Sequence, residues 1–345
     1  MNLKQRFHSI YPTAFFLEKE INSVEKYLQQ QGWLSEQETL NSLEKPGEGN
    51  MNFVLRATTN HRSFILKQAR PWVEKFPQID APVERIAVEA QFFQSLERVD
   101  TINSFAPSCL GFDEKNFILA TEDLGKGADY SFLYQKEKQL SDADIKSLLQ
   151  YLTTLHQLSV PASFPANLAM RQLNHEHIFN FPYLEDNGFD LDTVQAGLQE
   201  AAMPYKKDSA LKAKIAACGD LYLSAKESTL LHGDFYPGSW LKVADGLKVI
   251  DPEFGFAGPA AFDLSVLVAH LVMAEQSTEI IQIIIDEYQQ VIKIDQKLLA
   301  QFAGIEILRR LIGIAQLPLS LDLNTKKILL KKASNWIQTE QLDFG

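Results

Sequence analysis

The order of strand and helix patterns along the chain constrains its fold more than any other feature. Short apolar and β-branched runs lie in the first third, with NFVLRA at 52–57 and SFILKQA at 63–69 separated by the polar TTNHR, as in a hairpin. Long helical patterns dominate from SDADIKSLLQYLTTLHQL at 141–158 onward, behind a Ser or Asp cap. Strands followed by helices favour an α+β class, and a chain of 345 residues has room for two lobes.

Two further patterns place the boundary between these lobes. APVERIAVEAQFFQSLERV at 81–99 has apolar residues near helical spacing, and NFILATEDL at 116–124 is typical of a strand that runs into a linker. We expect the lobes to join near residues 122–130. The predicted organisation is a β-rich N-terminal lobe over 1–124 and a mostly helical C-terminal lobe over 125–345.

Composition and charge argue against several classes of protein. The chain is 46% hydrophobic and 22% charged with a net charge of −11, and its basic residues form no visible cluster, so we expect no nucleic-acid partner. The most apolar runs, 264–273 and 280–286, are too short to span a bilayer, and the N-terminal stretch lacks the apolar core of a signal peptide. Cys109 and Cys218 lie too far apart in sequence to indicate a zinc site or a secreted disulfide framework. We therefore expect a cytoplasmic protein with no membrane partner.

The stretch LLHGDFYPGSWL at 230–241 carries the most specific chemistry. It contains His232-Gly233-Asp234, with Ser239 five positions after the aspartate. Protein kinases place an asparagine at that interval after His-Arg-Asp, with the aspartate as base and the asparagine as metal ligand. Asp234 is therefore the candidate catalytic group that orients or deprotonates an attacking hydroxyl. We expect His232 to be structural and hydrogen-bonded to backbone near the motif.

A short hairpin follows this stretch. Two apolar strands flank Asp245-Gly246, a strong hairpin signal, so the chain is expected to turn back between Ser239 and Asp251. Glu253 comes two residues after that aspartate. Carboxylates and other side-chain oxygens are the ligands that Mg²⁺ prefers. The sequence predicts Asp251 and Glu253 as metal ligands, and Ser239 as a further ligand or as the anchor of a metal-bound water.

The N-terminal part supplies candidates for binding phosphate groups. PGEGNMNF at 46–53 places two glycines before a strand, where backbone amides could approach an anion. Lys67 ends the next strand, and Glu89 on the following helix could orient it by pairing. Taken singly, these residues could equally be a plain turn, a solvated lysine and an exposed glutamate. The candidates for the nucleotide site are Gly47, Gly49, Asn50, Lys67 and Glu89.

In their order along the chain, these motifs resemble the aminoglycoside phosphotransferase and choline kinase superfamily, and within it the methylthioribose kinase family. The matching segments are GEGNMNFV at 47–54, KQARPWV at 67–73, Glu122-Asp123-Leu124, HGDFYPGS at 232–239, VIDPEF at 249–254 and EILRRLIGIAQL at 306–317. In that family a serine replaces the asparagine of protein kinases. Ser239 therefore resembles a subfamily choice, and not a damaged site.

The resemblance implies a bilobal, protein-kinase-like fold and an ATP-dependent phosphotransferase with an alcohol group as acceptor. ATP and Mg²⁺ are the implied cofactors. In the roles that the family assigns, Lys67 binds phosphate groups, Asp234 acts on the sugar hydroxyl, and Asp251 and Glu253 hold magnesium. The implied partner is a small hydroxylated molecule, and a homodimer stays open.

The same resemblance implies roles in the linker and on a late helix. Backbone groups near Glu122 and Leu124 would contact adenine, and Arg309 and Arg310 would contribute to the sugar site. Two adjacent residues cannot occupy the same point of one helix face, so solvated or ion-paired arginines remain an alternative. Tyr236 could stack on the acceptor.

The acceptor is the least constrained part of this prediction. Segments 74–82 and 171–192 depart from the methylthioribose kinase pattern, although methylthioribose or a related sugar remains the leading acceptor. Several acidic residues keep an aminoglycoside open, and choline or homoserine-type acceptors are further alternatives; the acidic residues are Glu176, Glu185, Asp186, Asp190 and Asp192. A catalytically inactive nucleotide-binding scaffold is the alternative from another class. His175 and His177 lie two residues apart, which argues against a shared metal, and Asp263 is expected to play a structural role.

Overall fold

The computed structural model describes residues 2–47, 50–224 and 229–345. The chain divides into two compact units: Met1–Lys126 with Asp251–Phe254 form unit 1, and Gly127–Ile250 with Gly255–Gly345 form unit 2. The short segment Asp251–Phe254 thus belongs to unit 1. The sequence prediction divided the chain at one point, after residue 124, and placed this segment in the C-terminal lobe. As functional domains, the ranges 1–124 and 125–345 stay a prediction.

Unit 1 is built on an antiparallel sheet. Its elements are α1 (Leu3–Ile10), α2 (Ile21–Gln30), β1 (Leu40–Glu44), β2 (Phe53–Thr59), β3 (Ser63–Gln68), α3 (Arg85–Leu96), α4 (Asp100–Asn103), β4 (Cys109–Asp113) and β5 (Ile118–Glu122). Among the described residues the strands lie in the order β1-β2-β3-β5-β4. The predicted hairpin is confirmed as β2 and β3, and Lys67 pairs with Val54 and Leu119 on the flanking strands.

Burial alternates along β2, so one face of the sheet is covered. Leu55 and Leu66 on that face pack in one core with Val24 and Leu28 of α2. The helices α1 and α2 and the strand β1 were not part of the sequence prediction. The predicted helix over 81–99 is shorter than expected, since α3 covers Arg85–Leu96.

Unit 2 is mostly helical. Its elements are β6 (Ala128–Asp129), α5 (Asp142–Gln157), α6 (Leu168–His175), α7 (Leu198–Lys207), α8 (Ser209–Ser224), β7 (Thr229–Leu231), β8 (Trp240–Val243), β9 (Gly246–Val249), β10 (Phe256–Gly258), α9 (Ala261–Met273), α10 (Thr278–Val291), α11 (Gln296–Ile312) and α12 (Leu323–Thr339). The predicted helix over 141–158 is confirmed as α5, which Ser141 caps. A strand-bearing unit 1 and a helical unit 2 confirm the α+β class.

The predicted hairpin in unit 2 is confirmed as β8 and β9, with one correction to its turn. Val243 pairs with Gly246, so Ala244 and Asp245 form the turn and the glycine begins the second strand. Gly246 has φ of +110°, a conformation that side chains rarely adopt. Among the helices of the described residues, none has both the length and the apolar character needed to cross a bilayer.

Candidate active site

The turn that carries Asp234 in unit 2 is fixed by its own backbone contacts. Asp263, at the start of α9, accepts hydrogen bonds from the backbone N–H groups of His232 at 2.6 Å and Gly233 at 2.9 Å. The His232 ring lies between the N–H of Asp234, 3.3 Å from Nδ1, and the carbonyl of Ile250, 3.0 Å from Nε2. These contacts confirm that His232 is structural, and they show that Asp263 holds the turn.

Ser239 also holds this turn. Its hydroxyl donates to the backbone carbonyl of Asp234 at 2.9 Å, and the residue is buried. The contact spans the same five-residue interval that the sequence motif shows. A role for Ser239 at a metal stays a prediction, whereas its positioning of the Asp234 loop is a direct contact.

Two arginines of α11 converge on the carboxylate of Asp234. Arg309 Nη2 lies 3.4 Å and Arg310 Nη2 lies 3.2 Å from Asp234 Oδ1. The Nε atoms of both arginines donate to Glu306, Arg310 at 2.9 Å and Arg309 at a shorter distance. Glu306 lies three and four residues before the arginines, which places all three on neighbouring positions of the helix surface. Both arginines are buried, so the alternative that they are solvated is wrong. The alternative that they are ion-paired is confirmed.

His270 completes this group, which we call the arginine cluster: Asp234, Glu306, Arg309, Arg310 and His270. Burial alone would raise the pKa of Glu306, but the two arginines and His270 lower it well below its usual range. Burial lowers the pKa of His270 to about 4, so its ring is neutral near pH 7. Burial raises the pKa of Asp234, and the arginines act in the opposite direction.

Tyr236 packs beside this cluster. The guanidinium carbon of Arg310 lies 4.8 Å from the centroid of the Tyr236 ring, within cation–π range. The same ring lies 5.1 Å from that of His270. Stacking of Tyr236 on an acceptor stays a prediction.

The strand lysine lies in a second charged group, in unit 1. Lys67 Nζ donates to Glu89 Oε1 at 2.5 Å and also to Asp251 Oδ1 at a shorter distance. Lys67 is 8% exposed and Glu89 is fully buried, so the interpretations as a solvated lysine and an exposed helix glutamate are wrong. Burial would lower the pKa of Lys67, but Asp251 and Glu89 raise it above its usual value.

Arg85 and Asn52, which the sequence prediction missed, connect residues 51 and 52 of the predicted phosphate loop (46–53) to Glu253. The fully buried Arg85 donates to Asn52 Oδ1 at 2.8 Å and to the carbonyl of Met51 at 2.9 Å. Asn52 Nδ2 in turn donates to Glu253 Oε2. Arg85 opens α3, one turn before Glu89. We call Lys67, Arg85, Glu89, Asp251 and Glu253 the lysine cluster.

The lysine cluster brings three carboxyl groups to two cations. The carboxylates of Glu89, Asp251 and Glu253 meet only Lys67 and Arg85 within the cluster. Burial, followed by the field of Glu89, raises the pKa of Glu253 to about 8. Within the described ranges no group of three or more His, Cys, Asp or Glu side chains has metal-binding geometry. Mg²⁺ is commonly bound by one or two carboxylates together with waters and substrate phosphates, so Asp251 and Glu253 fit it.

Asn50 and Met51 of the predicted phosphate loop form backbone hydrogen bonds with the segment that follows β3. The carbonyl of Asn50 accepts from the N–H of Lys75 at 3.0 Å, and that of Met51 accepts from the N–H of Glu74 at 3.3 Å. Gly47 and Asn50 are exposed, as an anion-binding loop requires. Gly49 lies outside the described residues. Segment 74–82, which departs from the methylthioribose kinase pattern, is therefore joined to Asn50 and Met51 through the backbone of its first two residues.

The linker is anchored through Asp123. Arg56 donates to both carboxylate oxygens of Asp123, at 2.8 and 2.9 Å. Glu122 ends β5 and its carboxylate accepts from the N–H of Ser108 at 3.2 Å, while Leu124 is half-buried. Contact of Glu122 and Leu124 with adenine stays a prediction.

In sequence, this chain is similar to phosphotransferases, and among them to methylthioribose kinases. The model of the phosphotransferase enzyme family matches residues 42–298. Methylthioribose kinase of Pectobacterium carotovorum is 30% identical over 73% of this chain and 65% of its own length. Methylthioribose kinase 1 of Oryza sativa is 28% identical over 68% of this chain and 56% of its own length. The chain thus spans less than two thirds of these relatives.

Solved structures confirm the predicted fold. The spectinomycin phosphotransferase APH(9)-Ia, in complex with ADP and spectinomycin, superposes with a TM-score of 0.55 at 15% identity, covering 94% of this chain and 99% of the other. A microcompartment-associated aminopropanol kinase superposes with a TM-score of 0.54 at 15% identity, covering 94% and 100%. Likeness at this identity concerns the fold alone.

Proposed function

The chain belongs to the phosphotransferase enzyme family, and from that premise we propose that it transfers the γ-phosphoryl group of ATP to a hydroxyl of a small neutral sugar. Methylthioribose is the leading acceptor. The observation that carries this proposal is the pair of buried arginines on the carboxylate of Asp234. The lysine cluster supports the nucleotide side of the reaction.

In the proposed mechanism the lysine cluster holds the triphosphate. Lys67 would contact phosphate oxygens, with Glu89 fixing the direction of its ammonium. Asp251 and Glu253 would hold Mg²⁺ together with the phosphates. When bound, Mg²⁺ supplies charge neutralisation at the phosphoryl group. The side chain of Asp251 is 46% exposed, so it remains accessible to such a ligand.

Asp234 would position the acceptor. Both arginines contact Oδ1, so we assign the other carboxylate oxygen, Oδ2, to the acceptor hydroxyl. The side chain is 20% exposed, which leaves room for that contact. Loss of the hydroxyl proton to Oδ2 would accompany attack on the γ-phosphorus, and the bond to the ADP leaving oxygen would break. Catalysis of this kind depends on positioning and charge neutralisation more than on covalent chemistry.

The charge of the arginine cluster favours a neutral acceptor. The two carboxylates of Asp234 and Glu306 balance the two guanidiniums, so the cluster offers no excess negative charge to a cation. Choline or an aminoglycoside would bring a positive charge towards two arginines. A sugar hydroxyl carries no such penalty.

The acidic residues of segment 171–192 give little support to a cationic acceptor. Asp186 accepts from the N–H of Gly188 at 3.1 Å, and Asp192 accepts from the N–H of Gln199 at 2.9 Å. Both are exposed; Asp186 completes a local turn, and Asp192 accepts from the first turn of α7. We therefore propose a sugar in preference to the aminoglycoside that the acidic composition left open.

The proposal is tested by ADP release from Mg-ATP, with methylthioribose, choline and spectinomycin as separate acceptors. We expect saturable release with methylthioribose only, and none from Asp234→Asn. The exposed hairpin variant Asp245→Asn changes the same chemical group away from the cluster and should keep the wild-type rate. Release with choline or spectinomycin alone would contradict the proposed acceptor, and undiminished turnover by Asp234→Asn would contradict the role of Asp234.

A further inference from the structure

We propose that Glu306 is a positioning residue of the acceptor site, which sets the direction of Arg309 and Arg310 and through them the carboxylate of Asp234. The inference deepens the proposed function and rests on it for its kinetic test. It concerns contacts within unit 2 alone.

Each arginine spans two carboxylates. Its Nε donates to Glu306 and its Nη2 contacts Asp234 Oδ1, at 3.4 Å from Arg309 and 3.2 Å from Arg310. The planar guanidinium fixes the angle between these two directions. An arginine held at Nε by Glu306 therefore has its Nη2 directed at Asp234. Because both guanidiniums contact Oδ1, together they limit the movement of that oxygen.

Glu306 is itself held in one orientation. It is 2% exposed, and His270 Nε2 lies 2.8 Å from its Oε1. The hydroxyl of Tyr134 lies 2.6 Å from His270 Nδ1, so it can donate there and leave Nε2–H to donate to Glu306. Tyr134, His270 and Glu306 thus form a series of contacts that fixes the direction of the arginines. Asp263 separately holds the turn that carries Asp234.

Stability alone does not account for such a group. Buried ion pairs cost desolvation, and apolar replacements of similar volume are often as stable or more so. Three buried charged groups, Glu306, Arg309 and Arg310, next to the partly exposed Asp234 therefore point to a requirement for defined geometry. Without the charge of Glu306, Arg309 and Arg310 would repel each other and lose their common anchor beside Asp234.

The test is Glu306→Gln, which keeps the size of the side chain and removes its charge. We expect kcat/KM for the acceptor to fall about 10- to 100-fold, because small displacements of reacting groups have effects of that size. The KM for Mg-ATP should stay within about twofold, since the lysine cluster does not include Glu306. The exposed variant Glu287→Gln is the matched control and should leave both constants unchanged.

A double-mutant cycle separates positioning from a general structural effect. In an Arg309→Lys/Arg310→Lys background, where the Nε donors are absent, Glu306→Gln should lower kcat/KM by less than about threefold. An unchanged kcat/KM in the single variant, or an equal loss in both backgrounds, would overturn the proposal. Loss of Mg-ATP binding by Glu306→Gln would indicate a role in folding alone and would overturn it as well.

A spectroscopic measurement distinguishes failure of this inference from failure of the proposed function. With selectively ¹⁵N-labelled arginine, the Nε–H signals of Arg309 and Arg310 in the wild type should exchange slowly with solvent. Glu306→Gln should abolish that protection for at least one of the two arginines, because the amide keeps only one accepting oxygen. If the wild type released no ADP with any acceptor, the proposed function would fail, while this result would still support the positioning role. Unchanged protection in Glu306→Gln would overturn it.

Discussion

The lysine cluster and the arginine cluster both combine carboxyl groups with cations, yet they differ in the ratio of the two. Three carboxylates of the lysine cluster meet two cations, and its Asp251 side chain is 46% exposed. In the arginine cluster two carboxylates meet two arginines, and the neighbouring His270 is neutral near pH 7. An excess of carboxyl groups over cations suits a site that receives a metal ion. A balanced cluster suits a site that only has to hold one oxygen in place.

Removal of the lysine should have the largest effect. Lys67→Met leaves Glu89 and Asp251 without their shared cation and would remove the proposed contact to the phosphates. We expect kcat/KM to fall about 100- to 1000-fold, the size seen when one preorganised electrostatic contact is lost. Steady-state kinetics and calorimetric titration with Mg-ATP measure this loss, with the exposed Lys26→Met as control. A loss under tenfold would contradict the assigned contact.

Arg85 should matter mainly for stability. Arg85→Met removes donors from Asn52 and from the carbonyls of Met51 and Arg70, and removes the guanidinium that lies 3.9 Å from Glu253. We expect the free energy of unfolding to fall by about 4 kcal/mol, as for other broken buried ion pairs.

Urea unfolding measures this change. The exposed Arg98→Met should unfold like the wild type. Equal stability of Arg85→Met and wild type would show that the phosphate loop does not depend on this arginine.

The arginine cluster should make stability depend on pH in the acid range. The folded pKa of His270, about 4, lies below its unfolded value of 6.5, so its contribution is present above pH 6.5 and lost as the pH falls towards 4. The change in the free energy of unfolding should reach at most about 3.4 kcal/mol. The groups that face the ring are Glu306, Arg309, Arg310, Tyr134 and Tyr236.

Unfolding in urea between pH 4 and 7.5 measures the slope, which His270→Gln should reduce. The exposed His61→Gln should keep the wild-type slope. A His270→Gln protein with an unchanged slope would contradict a neutral, buried histidine at this place.

Ser239→Ala should have the smallest effect and it separates two roles. If the hydroxyl only holds the carbonyl of Asp234, the free energy of unfolding should fall by about 1 kcal/mol and the Mg²⁺ dependence of turnover should not change. A raised Mg²⁺ requirement in this variant would instead support the metal role that the sequence predicted for Ser239.

The sequence predicted those parts of the structure whose signals are local. The β2–β3 hairpin follows from alternating apolar residues, and α5 follows from its helical spacing and the Ser141 cap. The helix α1 was missed because only Phe7 on it is buried, although Asn2 and Gln5 form a capping box that could have indicated it.

Contacts between distant residues were the harder part of the site. Asn52 meets Glu253 across 201 positions, and no local pattern in a single sequence pairs them. Glu306 is different, because its spacing of three and four residues from Arg309 and Arg310 is visible in the segment EILRR. That spacing could have predicted the ion pairs before the structure was known.

The most direct test compares Asp251→Asn and Asp234→Asn by calorimetric titration with Mg-ATP alongside ADP release with methylthioribose. If the two clusters divide the work as proposed, Asp234→Asn binds Mg-ATP within about threefold of the wild type and releases no ADP, because positioning of the acceptor alone is lost. Asp251→Asn should lose nucleotide binding as well as turnover. Wild-type binding of Mg-ATP by Asp251→Asn, or wild-type turnover by Asp234→Asn, would contradict the account.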